Sequence, residues 1–175
     1  DDMQSADLAK ESGSKLGALS GGVTGTAGSE ARAALRALTS RIGDKSNLIL
    51  DPDLDSFYVM DLAVVKIPDV LDRVTDLALA SRAAYADRTL SADEKLDLTV
   101  KMGGLQTVLD GLNGSVDSAY LGNTDGTVKA ELNSSHTAVK QAVHEVVAEW
   151  IERRPTEDEV TGAITALGSF YTACS

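Results

Sequence analysis

Apolar residues in this chain recur at every third or fourth position, which is the spacing of one face of an α-helix. No segment longer than a few residues alternates with the period of two that a half-buried strand requires. The pattern therefore predicts an all-α fold. One stripe runs over more than three heptads and consists of Phe57, Met60, Val64, Ile67, Leu71, Val74, Ala78 and Ser81. Such a narrow seam is typical of helices packed at a shallow angle in bundles.

Pro68 lies inside that stripe. Because proline lacks an amide hydrogen and crowds the preceding turn, we expect a kink near residues 64 to 68 and no stop. A third helix begins after Ser91, which forms an S-x-x-E capping box with Glu94. Its stripe consists of Leu98, Met102, Leu105, Leu109, Leu112, Val116 and Ala119. Its interior glycines, Gly103, Gly104, Gly111 and Gly114, suggest close approach of a neighbouring helix.

The chain turns at residues 122–126, which contain two glycines, and a stripe resumes from Val128 to Trp150. Thr156 and Glu159 offer a second capping box beyond Pro155. We expect the chain to bend at Pro155 without reversing, so that the last helix is long. At the other end, residues 6–20 and 31–42 fit helices, and the glycine-rich segment between them favours a loop by propensity. Packing can override propensity, and one continuous first helix of roughly 40 residues, about 60 Å long, is slightly favoured.

These expectations combine into one architecture. Residues 1–175 form a single helical-bundle domain, an elongated antiparallel four-helix bundle whose long first and last helices can be kinked. Both termini then emerge at the same end. The ends look cut within helices, as expected of a domain excised from between two transmembrane helices, and no run of 18 apolar residues occurs in the sequence itself.

Composition narrows the classes of function. Aromatic residues make up only 4% of the chain although 43% is apolar, so the core must be built from Ala, Leu, Val and Ile. A net charge of −11 argues against nucleic acid or an anionic membrane surface as a partner. Cys174 is the only cysteine, which excludes an intramolecular disulfide and a multi-cysteine metal site. The sequence contains no G-x-S-x-G elbow and no P-loop, so we predict no enzyme activity and no cofactor.

The most specific segment changes period abruptly. The short apolar run from Leu48 to Leu50 is followed by Asp51-Pro52-Asp53, after which helical spacing begins. Pro52 disfavours helix before it, so a helix should start just beyond. Asp53 or Asp55 would then lie near the N-cap, where a carboxylate accepts from free amides and faces the positive end of the helix dipole. The simplest interpretation of the acidic residues is a well-made helix start.

Residues 50–61, with the sequence LDPDLDSFYVMD, and the following Ile67-Pro68 resemble the LDPDxDSYYLMD…LP signature of bacterial receptor input regions. That signature belongs to extracytoplasmic helical segments of some methyl-accepting chemotaxis proteins and sensor histidine kinases. Phe57 and Val59 replace Tyr and Leu, and fewer residues precede the motif than in the family. The resemblance implies a periplasmic ligand-sensing and signal-transmission domain of an inner-membrane chemoreceptor, which is a homodimer and is anchored through flanking spans absent from this chain.

The candidate ligand-binding residues are Asp51, Asp53, Asp55, Ser56, Tyr58 and His136. Free amides after Pro52 could receive an anion, whereas the nearby carboxylates would favour a cationic or amine ligand, so the charge of the small-molecule ligand stays open. The D-x-D-x-D pattern opens like a calcium loop, but Ser56 replaces the required Gly and Leu62 the bidentate Glu. Capping is therefore the better account, and no metal site is predicted.

His136 and His144 are eight residues apart, too far for a shared metal, which wants positions i and i+4. His136 follows Ser135 on an apolar stripe, so a hydrogen-bonded core or groove histidine is the favoured interpretation and a ligand contact inside the bundle is the alternative. For the whole chain, the competing functions are a purely structural or dimerising helical protein, such as a secreted antigen or stalk, and the input domain of a sensor kinase. The receptor would signal by a helix shift of about 1–2 Å.

Overall fold

The computed structural model of the protein describes residues 5–19, 26–45, 53–86, 89–148 and 156–175. Within these ranges 90% of the residues are helical and none lies in a strand, which confirms the all-α prediction. The helices are α1 Ala6–Ala18, α2 Ala27–Lys45, α3 Leu54–Asp61, α4 Ile67–Ala84, α5 Ala92–Gly122, α6 Thr127–Ala148 and α7 Glu157–Ala173. A π-helical turn at Leu62–Lys66 joins α3 and α4 into one continuous rod.

Tertiary contacts divide the chain into two units, Asp1–Asp53 and Leu54–Ser175. In the first unit α1 and α2 pack side by side as an antiparallel pair. The buried Ser12 donates from Oγ to the Ala34 carbonyl at 3.0 Å, and Lys15 pairs with Glu30 at 2.5 Å. The pairing of 12 with 34 and of 15 with 30 sets the antiparallel direction.

This pairing makes the prediction of one continuous first helix wrong. A straight helix would separate residues 12 and 34 by about 33 Å, at 1.5 Å per residue, whereas their polar atoms are hydrogen-bonded. Continuing a helix through Gly21, Gly22 and Gly25 would also cost about 1 kcal/mol for each glycine. The free energy gained when two short helices bury small residues against each other therefore exceeds that of one extended helix. Most of the predicted loop, residues 20–25, lies outside the described residues.

The second unit contains four helical segments, and each runs antiparallel to the next. Asp61 of α3 bonds to Ser115 of α5, and Asn113 of α5 bonds to His136 of α6. The ring of His136 in turn contacts that of Phe170 in α7, with centroids 5.6 Å apart. The chain therefore reverses between α6 and α7, and the predicted bend without reversal at Pro155 is wrong. Pro155 itself lies outside the described residues.

The rod of α3 and α4 passes Pro68 without a stop, as predicted. The expected irregularity takes the form of the π turn, in which the Ile67 amide donates to the Leu62 carbonyl five residues earlier. Pro68 has no amide to offer the preceding turn, and its ring would crowd the carbonyl four residues before it in an α-helix. A wider turn relieves both problems at the cost of one additional residue.

The π turn also determines which face of the rod is buried. Buried positions on the rod follow the series Leu62, Ile67, Val70, Val74, Leu77, Ser81 and Ala84. Their spacing is three or four residues throughout α4 but five across the π turn. The predicted stripe from Phe57 to Leu71 assumed regular α spacing, so most of its early members are only partly buried.

One aliphatic core is shared by all four segments of the second unit. Its largest fully buried side chains are Leu62, Val70, Val74, Leu77, Leu105, Leu112, Val116, Leu132, Val139, Leu167 and Phe170. Among these described residues Phe170 is the one aromatic side chain, as the low aromatic content predicted. Complete burial of one such side chain contributes roughly 1.5–3 kcal/mol, so this core is the main source of stability of the unit.

Both predicted capping boxes are present. At α5 the Ser91 amide donates to Glu94 Oε2 at 2.8 Å, and the Glu94 amide donates to Ser91 Oγ at 3.3 Å. At α7 Thr156 and Glu159 make the same reciprocal pair at 2.8 and 3.2 Å. The turn between α5 and α6 ends at Gly126, whose φ of 77° favours glycine. The starts of α5 and α7 are thus satisfied by local side chains.

Close backbone approach occurs at Gly122, at the end of α5, where the sequence predicted only a turn. A Cβ built there would lie 2.9 Å from the Asp55 backbone nitrogen and 3.1 Å from the Leu54 Cβ. The prediction of close helix approach at the interior glycines is wrong for Gly103 and Gly114, which have no such atom within 4 Å. Gly122 lets the start of α3 rest directly on the end of α5.

We therefore expect Gly122→Ala to destabilise the protein by about 1–3 kcal/mol, because backbone atoms cannot move aside. The matched control is Gly114→Ala in the same helix, where the added methyl meets no neighbour. This control should gain up to about 1 kcal/mol from helix propensity. Urea unfolding followed by circular dichroism measures both changes. Equal stability of the two variants would contradict the contact at Gly122.

A second prediction concerns the π turn. In a Pro68→Ala background, deletion of the exposed Val65 should convert the π turn to α and keep Leu62 and Ile67 on the same face. The cost should stay within about 1–2 kcal/mol. Deletion of the exposed Asp76 in the same background rotates the end of α4 and removes Leu77 from the core, at about 3 kcal/mol or more. Thermal unfolding measures the stability of both deletion variants. If the Val65 deletion proved the less stable of the two, the π turn would not be what sets the buried face of α4.

Candidate functional site

Most residues of the predicted site lie where the rod begins. Asp53 precedes α3 and is exposed, Asp55 and Ser56 lie in its first turn, and Tyr58 is partly buried with its ring edge against Phe57 at 5.2 Å. Asp51 lies outside the described residues. The segment thus forms a helix start, as the capping interpretation predicted.

Asp55 ties this helix start to the turn between α5 and α6. Its Oδ2 accepts from the Asn123 side-chain amide at 2.9 Å, and its Oδ1 accepts from the Ser56 amide at 2.9 Å. These bonds hold the pKa of Asp55 below its usual value, with Asn123 as the main cause. The Asn123 side-chain oxygen Oδ1 accepts from the Val128 amide at 3.1 Å. One asparagine therefore links the starts of α3 and α6.

A second acidic residue of the motif is engaged at the other end of α3. The partly buried Asp61 accepts from Ser115 Oγ at 2.7 Å, and Lys66 Nζ lies 3.9 Å from the same carboxylate oxygen. Asp61 and Lys66 are five residues apart, so this ion pair spans the π turn. Sequence analysis assigned no role to Asp61, Lys66 or Ser115. A search for charged pairs at spacing i,i+5 beside a proline would have found the first two.

His136 lies in the core, away from the motif. It is 7% exposed, and its Nε2 is 2.7 Å from the Asn113 side-chain oxygen. Because that oxygen can only accept, Nε2 is assigned the proton and Nδ1 is the acceptor in the neutral ring. The hydrogen bonds that run from Asp55 through Asn123 reach α6 at Val128. This residue lies eight positions before His136, or about 12 Å along the helix. The structure does not bring the two parts of the predicted site together.

The environment of His136 disfavours its charged form. Burial lowers its pKa below 6.5, and the positive charge of Lys140 lowers it further, while Asp117 acts in the opposite direction. A groove of about 410 Å³ lies between α5 and α6. Its lining includes Asn113, the hydrogen-bond partner of His136, and Lys140. The arrangement fits the favoured interpretation, a hydrogen-bonded core histidine whose partner lines the groove.

We expect His136 to titrate below 6.5 in NMR spectra recorded across a pH series. Lys140→Gln should raise its pKa, because a positive neighbour is removed, and Asp117→Asn should lower it further. The folded pKa is below the unfolded one. Stability present above about pH 6.5 is therefore lost as the pH falls through the folded value. Titration above 6.5, or shifts of the opposite sign in the two variants, would contradict this environment.

The chemistry available to the described residues is limited. No group of three or more His, Cys, Asp or Glu residues among them is placed to hold a metal ion. Burial raises the pKa of the Cys174 thiol to about 11, so it is a poor nucleophile at neutral pH. No helix of the described ranges is both long and apolar enough to cross a membrane.

Comparison with known proteins adds no assignment. No protein-family model, no curated protein and no solved structure matches this chain.

Proposed function

We propose that this chain is the extracytoplasmic ligand-sensing and signal-transmission domain of a bacterial transmembrane chemoreceptor. The support is the resemblance of residues 50–61 and Ile67-Pro68 to the input regions of methyl-accepting chemotaxis proteins. In this proposal the domain is the periplasmic part of an inner-membrane receptor, is held by spans that the chain does not include, and acts as a homodimer. It binds a small molecule and carries out no catalysis.

The four-helix bundle is part of the same proposal, with a different composition from the one expected. We assign it to Leu54–Ser175, whose four antiparallel segments share one core. The α1–α2 pair of the first unit is then an addition to the bundle and not its first helix. This assignment keeps the motif at the start of a bundle helix.

The structural observation that carries the proposal is that one rod combines two features, a start that is hydrogen-bonded to the turn between α5 and α6 and a π turn. Asn123 holds Asp55 at the start, and the π turn follows within the same rod. Such turns are common at functional sites. Conversion of the whole turn to α would rotate α4 by about 100°, the turn of one residue, and take its buried face out of the core, so in this proposal the π turn is kept and α4 moves as a unit. Helix shifts of about 1–2 Å are one of the known forms of allosteric change.

A ligand could drive this shift only if its affinity differs between the two packings. The Asp61–Lys66 pair and the Ser115 hydrogen bond span or flank the π turn and would stabilise the π form. A molecule that contacts α4 and a neighbouring helix would favour one position of α4. Such a device needs no enzyme chemistry.

The location is tested on the product of the complete natural reading frame, expressed in a bacterial host. We expect the protein to sediment with the inner membrane. An epitope inserted in the turn of residues 123–126 should be accessible from the periplasm. A cytoplasmic enzyme and a known periplasmic protein provide the two references for fractionation. A product found wholly outside the membrane fraction would defeat the receptor proposal and favour the structural or dimerising protein.

The output is tested in the same host by measuring swimming bias and autophosphorylation in membranes. Swimming responses would favour the chemoreceptor, whereas autophosphorylation by the same polypeptide would favour the sensor-kinase alternative. A thermal-shift screen of this chain over amino acids, organic acids and amines tests sensing itself, since a ligand that binds the folded state raises the midpoint. Absence of any stabilisation would leave the structural alternative ahead.

A further inference from the structure

A second groove, of about 310 Å³, lies between the end of α4 and the first turns of α7. Its polar lining comes from Ser81, Arg82, Thr156, Glu157 and Thr161, and small or aliphatic residues of both helices complete it. It therefore combines hydroxyl groups, one cation and one anion with three apolar side chains. Small-molecule sites typically orient their ligand through a few convergent polar groups of this kind.

Ser81 is the most informative residue of this groove. It is 1% exposed, and its Oγ has no hydrogen-bond partner among the described residues. A buried hydroxyl without a partner is costly to a folded protein. The helix itself could satisfy such a group, since Thr75 in the same helix donates from Oγ1 to the Leu71 carbonyl at 2.8 Å. Ser81 makes no such bond, so its hydroxyl keeps an unused donor at the wall of the groove, and a small rotation of the side chain would present it to a molecule there.

The charges on the two sides of the groove are opposite. Arg82 on α4 forms no ion pair with any other described residue. Glu157 on α7 supplies a negative charge at the first helical position, although it also makes an interaction of its own. A simple anion would be attracted by Arg82 but repelled by Glu157, and a simple cation would meet the reverse. A molecule carrying both charges is favoured over either.

We propose that the α4–α7 groove binds a small zwitterion. Its acidic group faces Arg82 and accepts from the Ser81 hydroxyl, and its ammonium group faces Glu157, with Thr161 as a further polar contact. The inference rests on the proposed sensing function and names its ligand class and site. Because the ligand bridges α4 and α7, it would favour one position of α4 relative to α7, downstream of the π turn.

The test is an NMR titration of this chain with glycine, β-alanine and taurine, which carry both charges at different separations. Acetate and methylammonium, which carry one charge each, are the ligand controls. We expect at least one zwitterion to shift the amide signals of Ala78, Val160 and Thr161. Arg82→Gln should weaken its binding at least about tenfold, the loss of one charge-assisted contact.

Two variants separate binding from stability. Arg73→Gln removes the same charge from an exposed position of α4 outside the groove, and should leave affinity unchanged. Ser81→Ala should weaken binding while raising the unfolding midpoint of the free protein by about 2–4 °C, because an unpaired buried hydroxyl is removed. A merely structural serine would show no change in affinity.

The proposal is overturned if no zwitterion shifts the groove signals, if acetate or methylammonium binds as tightly, or if Arg73→Gln and Arg82→Gln weaken binding equally. Shifts confined to the start of α3 would also overturn it and return the site to the motif. None of these results bears on the location of the complete protein. The NMR titration therefore tests the proposed ligand site, and cell fractionation separately tests the receptor proposal.

Discussion

The missing amide of Pro68 is the constraint on which the second unit depends. An α-helix through this position would leave a carbonyl unpaired and press the proline ring against the preceding turn. The rod resolves this with a π turn, in which Ile67 bonds to Leu62. The extra residue changes the rotation of α4 relative to α3. The buried face of α4, which carries Val70, Val74 and Leu77, is thereby aimed at the shared core.

Sequence reasoning succeeds where one short-range rule decides the structure. Both capping boxes are read from residues three apart, and the helices begin where they indicate. The α5 stripe is regular, and of its predicted members only Met102 is not buried. The early part of the rod was predicted less well, because Pro68 indicates that regular spacing fails but not that one residue is inserted. The local sequence pattern thus determines where helices begin and end, whereas an irregular turn changes which face of the following helix is buried.

Chain reversal was the harder problem. The glycine-rich segment after residue 20 and the segment around Pro155 were each compatible with a bend or a reversal. The difference is made by contacts between residues far apart, such as Ser12 with Ala34 and His136 with Phe170. No propensity scale contains these contacts, because tertiary packing decides between two local conformations of similar free energy. The same limit applies to Asp55: its position near a helix start was predictable, but its bond to Asn123 was not.

The candidate sites divide the polar groups of the second unit into two kinds. Asp55, Asp61 and His136 each have a hydrogen-bond partner on another helix or in the turn between α5 and α6, so they already stabilise the folded state without a ligand. Ser81 has the opposite character, since it is buried and lacks a partner among the described residues. A group whose bonding is satisfied gains little from a ligand, whereas an unsatisfied one gains a full hydrogen bond. The Tyr120 hydroxyl is likewise buried without a partner in the described ranges, but of these two groups Ser81 lines the α4–α7 groove, so this asymmetry, more than the number of acidic residues, favours that groove as the place where a ligand gains binding free energy.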